Sequence, residues 1–376
     1  MKSYVAALVL LVFPGVLSLT AQEKQNFVIN VGTPDGQLLQ SLGQETDDLK
    51  KVSIAEDFLA KYPKHEAAGW VAAQLEAGLL AEKDNDKVLE VADAAYATGP
   101  DMDAAYYALE AAVAKEDAAL AKKWSARTSE AARKIISSTK ASTDADDKQY
   151  LEHAKEVDEY SEYALYVLAL KAQPKEEVDL VDTLIKQNAK SQYLPQVATS
   201  YFAALGKAGE ATKICPAADK MAVDKNAEAM IQAADCAWRA NRATSVTSYG
   251  SKAAEAINSR AKREGVSDSD WASQKSALLG TANFYTGVGY ALEMRYGPAN
   301  KALRGALPAI KGSPQFYATA LFYLGLANYQ LGKPLGDKAQ MRQGLQFFQQ
   351  SAEISGPMQD QASRNAKTVL TELGGK

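Results

Sequence analysis

An all-α fold is expected from three observations. Alanine is abundant while proline is scarce, at 12 in 376 residues, and that balance favours helix. Apolar residues recur three and four positions apart nearly throughout, the period of an amphipathic helix. Beyond about the first thirty positions, no convincing run of alternating β-branched residues interrupts that pattern. The length suits two or three ordinary domains or one long repeat array. A net charge of −4 gives no general attraction to nucleic acid or anionic lipid.

The first segment stands apart. Lys2 precedes an apolar run from Val5 to about Leu19, and Leu19-Thr20-Ala21 leads into polar Gln22, which reads as a secretory signal (1–21) cleaved near Ala21. The run is shorter than the roughly 20 residues of a spanning helix and Pro14-Gly15 breaks it, so no integral span is expected in the mature chain. No cysteine follows Ala21, so lipid attachment is not indicated there. The mature protein is expected to be exported, periplasmic or secreted. Residues 22–44 contain "NFVINVGTPDGQ", whose Pro34-Asp35-Gly36 is a turn signal. They read as a short extended arm that covers the first helix or waits for a partner.

From Glu45 the punctuation becomes regular. Leu49, Val52, Ala55, Phe58, Leu59 and Tyr62 make one apolar stripe that stops at Pro63. Val88, Val91, Ala92, Ala95 and Tyr96 make the next, before Gly99-Pro100. Val178, Val181, Leu184 and Ile185 follow Pro174, and Ala211, Ile214, Cys215, Ala218 and Met221 follow Gly206-Lys207. Counting to Leu370 gives about sixteen helices joined by short turns, hence antiparallel hairpins.

"LGTANFYTG" at Leu279–Gly287 is echoed by "LGLANYQLG" at Leu324–Gly332, with Gly280 and Gly325 45 apart; the same step back reaches Asp235. Small residues in Leu-Gly-x-Ala let a neighbouring helix come close. The following helix carries Ala302 and Ala309, or Ala211 and Ala218, seven apart, and proline stands five beyond the last small residue at Pro314, Pro357 and Pro100. Proline stops one helix and opens the next. Such a pair cannot bury its own apolar face, so pairs must stack into a solenoid.

These residues resemble the tetratricopeptide repeats. Leu324, Gly325, Ala327, Gly332, Ala352 and Pro357 follow that family's order, as do Leu279, Gly280, Ala282, Gly287, Ala302, Ala309 and Pro314. Both copies depart from it by placing Asn283 and Asn328 where the aromatic belongs, with Phe284 and Tyr329 one position late. The resemblance implies a right-handed α-solenoid over 45–373, of irregular repeats longer than the family's usual length of about 34. The match is strongest over 226–357, the repeats are best defined over 192–357, and a capping helix is expected at about 358–373. "AEDFLAKYPKHEAAGW" at Ala55–Trp70 also looks like repeats in bacterial envelope proteins of assembly or maintenance.

The resemblance further implies that first helices line a concave groove. Carried over by position, Gln196, Ser200, Gln232, Arg239, Thr281, Tyr285, Tyr329 and Gln330 would face it, a polar and aromatic lining suited to extended peptides. The expected role is a non-catalytic scaffold for protein or peptide partners in the cell envelope. Tyr160, Tyr163 and Tyr166, three apart, form a partly continuous stripe read as core packing. The region 45–190 is acid-rich, whereas Arg239, Arg242, Lys252, Arg260, Lys262 and Arg263 crowd the next segment.

Cys215 and Cys236 are nearly equidistant from Asp224-Lys225-Asn226. On a hairpin they would sit at one height, and export permits a bond. The family pattern instead puts Cys215 at a packed position and Cys236 on the groove side, so a disulfide and two apolar fillers both stay open. No catalytic, cofactor or metal residue is assigned. His65 and His153 are the two histidines; neither has metal-ligand spacing, and both read as exposed helix-start or helix-face residues. No Gly-x-Ser-x-Gly, phosphate loop or zinc signature occurs. Asp47-Asp48, Asp144-Asp146-Asp147 and Asp268-Asp270 read as acids at helix starts. The alternative is an all-α toroid, a glycoside hydrolase or lyase, which needs two carboxylates about 5–9.5 Å apart; 4 Trp and 18 Tyr could supply its sugar platforms.

Overall fold

The computed structural model describes residues 27–374 apart from 99, 139–143, 224 and 263–264. The signal segment and its cleavage point lie outside these residues, as do Gly99, Asp224 and Arg263. Among the described residues the chain is all-α, with seventeen helices and no strand. Its contacts divide into two compact units, Met1–Val197 and Ala198–Lys376. Within each unit the substantial contacts join helices one or two places apart in the chain, as in a linear stack of hairpins.

The first unit holds α1 (Pro34–Gln44), α2 (Asp48–Lys61), α3 (Ala68–Ala81), α4 (Asn85–Thr98), α5 (Met102–Ala114), α6 (Ala118–Ser138), α7 (Ala145–Ala169) and α8 (Pro174–Gln187). α9 (Leu194–Lys207) crosses the boundary. The second unit continues with α10 (Ile214–Met221), α11 (Ala227–Arg239), α12 (Ala243–Ser259), α13 (Asp268–Leu292), α14 (Tyr296–Ile310), α15 (Pro314–Gly332), α16 (Lys338–Ala352) and α17 (Gln359–Glu372).

The expected extended arm is corrected by α1. Pro34 is the first helical residue, where its fixed φ helps and its missing N–H costs nothing, and the Thr33 hydroxyl accepts the Gly36 N–H at 3.3 Å. Pro-Asp-Gly is therefore a first helical turn. Leu39 and Leu42 then bury against the cluster holding Phe58 and Leu75. Residues 27–33 alone of the arm's described part stay irregular.

One turn recurs between paired helices. The Lys83 N–H bonds Leu80 O and the Asp84 N–H bonds Leu79 O, both at 2.9 Å, the double bond of a Schellman motif. The same two bonds occur at Glu116-Asp117, Gly209-Glu210, Asn241-Arg242, Met294-Arg295 and Gly336-Asp337. The first residue of each has positive φ: 62° at Lys83, 54° at Glu116, 77° at Gly209, 54° at Asn241, 60° at Met294 and 64° at Gly336. In three turns the next residue is an aspartate that caps the following helix. Asp84 accepts from Lys87 N–H at 3.1 Å, Asp117 from Leu120 N–H at 2.9 Å, and Asp337 from Ala339 N–H at 2.9 Å. One helix ends and the next begins within two residues, which fixes the pair.

This turn sets the repeat phase, and it corrects the step back to Asp235. Asp235 stands six before Asn241, as Val288 does before Met294. Gly280 lies further back because α13 has 25 residues against 13 in α11. The echo between Gly280 and Gly325 is packing. A Cβ at Gly280 would sit 2.2 Å from the Ala309 Cβ, and one at Gly325 would sit 2.7 Å from the Phe348 ring. Asp47, Asp144 and Ser267 are N-caps, with Asp48, Asp146, Asp147, Asp268 and Asp270 in first turns. Leu49 leaves its expected stripe and is exposed.

Cys215 and Cys236 are joined by a disulfide, Cα to Cα 5.7 Å, which ties α10 to α11. Cys236 is 4% exposed, so it faces the interior of the hairpin and not a groove.

Gly280→Val is expected to lower unfolding stability by about 1–3 kcal/mol through overpacking against α14. Gly305→Ala, where a Cβ meets only the Asn283 amide at 4.0 Å, should be neutral or stabilising; urea denaturation of both variants checks the contrast. Met294 is 74% exposed and held at positive φ, so Met294→Gly should raise the thermal midpoint, by about 1 kcal/mol of stability.

Candidate functional site

The expected groove residues differ in their exposure. Gln196 belongs to the first unit and is exposed, its Oε1 accepting the Tyr166 hydroxyl at 3.0 Å. Ser200 is exposed, and Gln232, Thr281 and Gln330 are half-buried. Thr281 turns its hydroxyl onto the Ala277 carbonyl at 3.1 Å.

Tyr285 corrects its expected place, being 2% exposed. Its ring packs edge-on to Phe284 and Trp238, and its hydroxyl donates to Asp235 at 3.0 Å. Arg239 pairs with the same Asp235, so the Arg239 and Tyr285 side chains serve a local contact between α11 and α13. Tyr329 lies elsewhere, its hydroxyl held by Glu372 at 2.8 Å and Lys333 at 2.6 Å.

Further along the basic segment, two more cations pair within the same unit. Arg260 grips Glu228 with two bonds of 2.7 Å, and Lys262 holds Asp268 at 2.5 Å.

A more concentrated feature occurs on α5 and α7. Tyr106, Tyr107, Tyr160, Tyr163 and Tyr166, with Tyr193 before α9, form a continuous row of rings. Successive centroids lie 5.6 Å (107 to 106), 5.1 Å (106 to 160), 6.1 Å (160 to 163), 5.7 Å (163 to 193) and 5.1 Å (193 to 166) apart. All but Tyr193 are half-buried, so the stripe expected to be core packs while leaving its rings partly open.

Carboxylates edge this row. The Tyr106 hydroxyl donates to Glu110 at 2.6 Å, one helical turn on, and the Tyr193 hydroxyl donates to Glu159 at 3.2 Å. Burial raises the Glu110 carboxyl above its ordinary range, and the Tyr106 bond opposes it. Burial, with the Glu110 charge second, raises the Tyr106 and Tyr160 hydroxyls, so both stay protonated.

The face of α7 is fixed from behind by a polar clamp that sequence reading missed. Arg133 bonds Asp158 at 2.9 Å and the Gln187 carbonyl at 2.7 Å; Ser125 bonds the Ser161 carbonyl at 2.9 Å, and Asn188 bonds Glu162 at 2.7 Å. Serines and one arginine among helical residues give no periodic signal, so the clamp was hidden.

Both histidines differ from their expected exposure. His65 is half-buried, edge-on to Phe58 and 3.4 Å from Asp35. His153 on α7 meets Asp103 on α5 at 2.8 Å. That bond raises its pKa, with burial acting against it. Being raised, the pair's contribution is full below the ordinary histidine pKa and fades as pH climbs through the folded value.

A third titratable group is fully interior. Glu76 on α3 is 0% exposed, neither carboxyl oxygen has a hydrogen-bond partner, and burial, then the Asp101 charge, pushes it up to about 9.

No group of three or more His, Cys, Asp or Glu suited to a metal ion occurs among the described residues. No described helix is long and apolar enough to cross a membrane. Compared with known proteins, the chain matches no family model and no curated sequence at a significant level.

Because Glu76 keeps its proton in the fold and loses it when unfolded, stability falls as pH rises from about 4.5 toward 9. Glu76→Leu should therefore stabilise, little at pH 4.5 and by up to about 1.4 kcal/mol more per pH unit above it. Urea midpoints of wild type and variant in the same buffers check this, since the His153 contribution cancels between them.

Proposed function

We propose that this chain is an exported, non-catalytic scaffold of tetratricopeptide-like helix pairs that holds extended protein or peptide segments in the cell envelope. The observation that carries this reading is the tyrosine row on α5 and α7. α5 precedes its Schellman turn at Glu116, so it is the first helix of a pair; α7 is likewise the first helix of its pair with α8. In the family these residues resemble, first helices line the groove.

Physical chemistry favours the same face. Tyrosine supplies wide apolar contact and a hydroxyl at low entropic cost, and such residues dominate binding energies. The rings are already held by the clamp behind α7 and by one another, so little ordering remains to be done when a partner docks. The envelope setting rests on the apolar leader in the sequence, together with a disulfide, which persists in oxidising compartments.

Selection of a random twelve-residue peptide display library on the purified chain tests this. Enriched peptides should bind the wild type and lose about tenfold or more in affinity to Tyr163→Ala and Tyr166→Ala, with helical content unchanged by circular dichroism. Absence of enrichment, or binding indifferent to both substitutions, would overturn the groove role.

A further inference from the structure

The tyrosine row is not uniform, and one end of it is a box with a charge inside. Glu110 lies on α5 beside Tyr106 and Tyr107, and Tyr160 closes over Tyr106 from α7. Its bond from Tyr106 is to a neutral hydroxyl, and Glu110 takes part in no ion pair among the described residues. A carboxylate taken partly out of water without a cation is unfavourable. Here burial shifts it upward and no basic group draws it back.

Acidic side chains outnumber basic ones on α5 and α7. Asp103 and Glu159 lie on the same two helices, and the nearby cations are engaged elsewhere. Lys155 holds Glu152 at 2.6 Å, Lys115 holds Asp86, Lys171 holds Glu116, and His153 holds Asp103. Tyrosine faces within about 6 Å attract a cation through their quadrupoles, more strongly when desolvated. Rings and a carboxylate thus supply the two attractions a cationic side chain lacks once it leaves water.

We propose that Glu110, framed by Tyr106, Tyr107 and Tyr160, is a recognition pocket for a lysine or arginine side chain of an extended partner segment. This deepens the scaffold reading and rests on it. The cation docks against the rings from the solvent side, pairs with the Glu110 carboxylate, and the partner's backbone runs along Tyr163 and Tyr166. Specificity then resides in the box, while the rest of the row supplies contact area.

The test uses matched acetylated decapeptides, Gly-Ser-rich, carrying three Lys, three Arg, three Gln or three Glu, titrated into the full mature chain by fluorescence anisotropy at about 150 mM salt, where unspecific attraction beyond about 8 Å is screened. The Lys or Arg peptide should bind, the Gln and Glu peptides should bind at least about tenfold more weakly, and Glu110→Gln should remove that difference. Glu156→Gln, which deletes an exposed charge on the same face, should change affinity less than about twofold. Tyr106→Phe keeps the ring, frees the carboxylate and should bind cationic peptides at least as tightly. Equal binding of cationic peptides by wild type and Glu110→Gln would overturn the pocket, as would equal effects of Glu110→Gln and Glu156→Gln. If display selection yields neutral or acidic peptides that still need Tyr163 and Tyr166, the pocket fails and the scaffold stands; if nothing is selected and no decapeptide binds, both fail.

Discussion

The architecture depends on how tightly two successive helices can be closed upon each other. A left-handed residue followed at once by the cap of the next helix leaves no slack, so the pair meets along its length wherever side chains allow. Glycine at 280, 287, 325 and 332 is what allows it in α13 to α16, since a Cβ at any of them would fall within 3.0 Å of the partner helix. Non-glycine residues accept the left-handed position at Lys83, Glu116, Asn241 and Met294. Each costs on the order of 1 kcal/mol, which the packing of a whole helix pair outweighs. The remaining apolar face of each pair then has nowhere to go except onto the next pair, and the contacts between helices two places apart follow.

Much of this was legible in the sequence because helical periodicity is a strong signal. Pro174 and Pro314 do open helices, and Pro63 and Pro100 stand at breaks. What failed was local. Pro34-Asp35-Gly36 reads equally as a turn or as a first helical turn, and only Leu39 and Leu42 meeting Phe58 decide between them. The phase of the repeat was misjudged at Asp235 because helix lengths vary while the turn does not. Non-glycine residues at positive φ carry no compositional mark, so Lys83 and Met294 could not announce the turn they make.

The candidate site was less legible, for a physical reason. Positional transfer from a family presumes that exposure follows register, yet Tyr285 is buried by Trp238, Phe284 and Phe316 around it. The stripe of Tyr160, Tyr163 and Tyr166 was visible, but its partners Tyr106 and Tyr193 are distant in sequence and join it only in the fold. Glu110 is more hidden still: in an alanine-rich helix it looks like any solvated acid, and its environment is completed by a ring from another helix.

Comparison of Glu76 with Glu110 separates a structural liability from a site. Both are carboxyls raised by burial, on first helices that pack together, α3 and α5. Glu76 has no exposed surface and no hydrogen-bond partner, and the Asp101 charge nearby is of its own sign, so the least costly state is a neutral acid. Nothing can reach it without opening the hairpin. Glu110 is half-buried, keeps one oriented hydroxyl and is walled by rings whose faces attract positive charge. It is costly in isolation and satisfied by a cation, and a cation can arrive from solvent. The same desolvation that merely lowers stability at position 76 becomes binding energy at position 110, because there the missing partner has a way in.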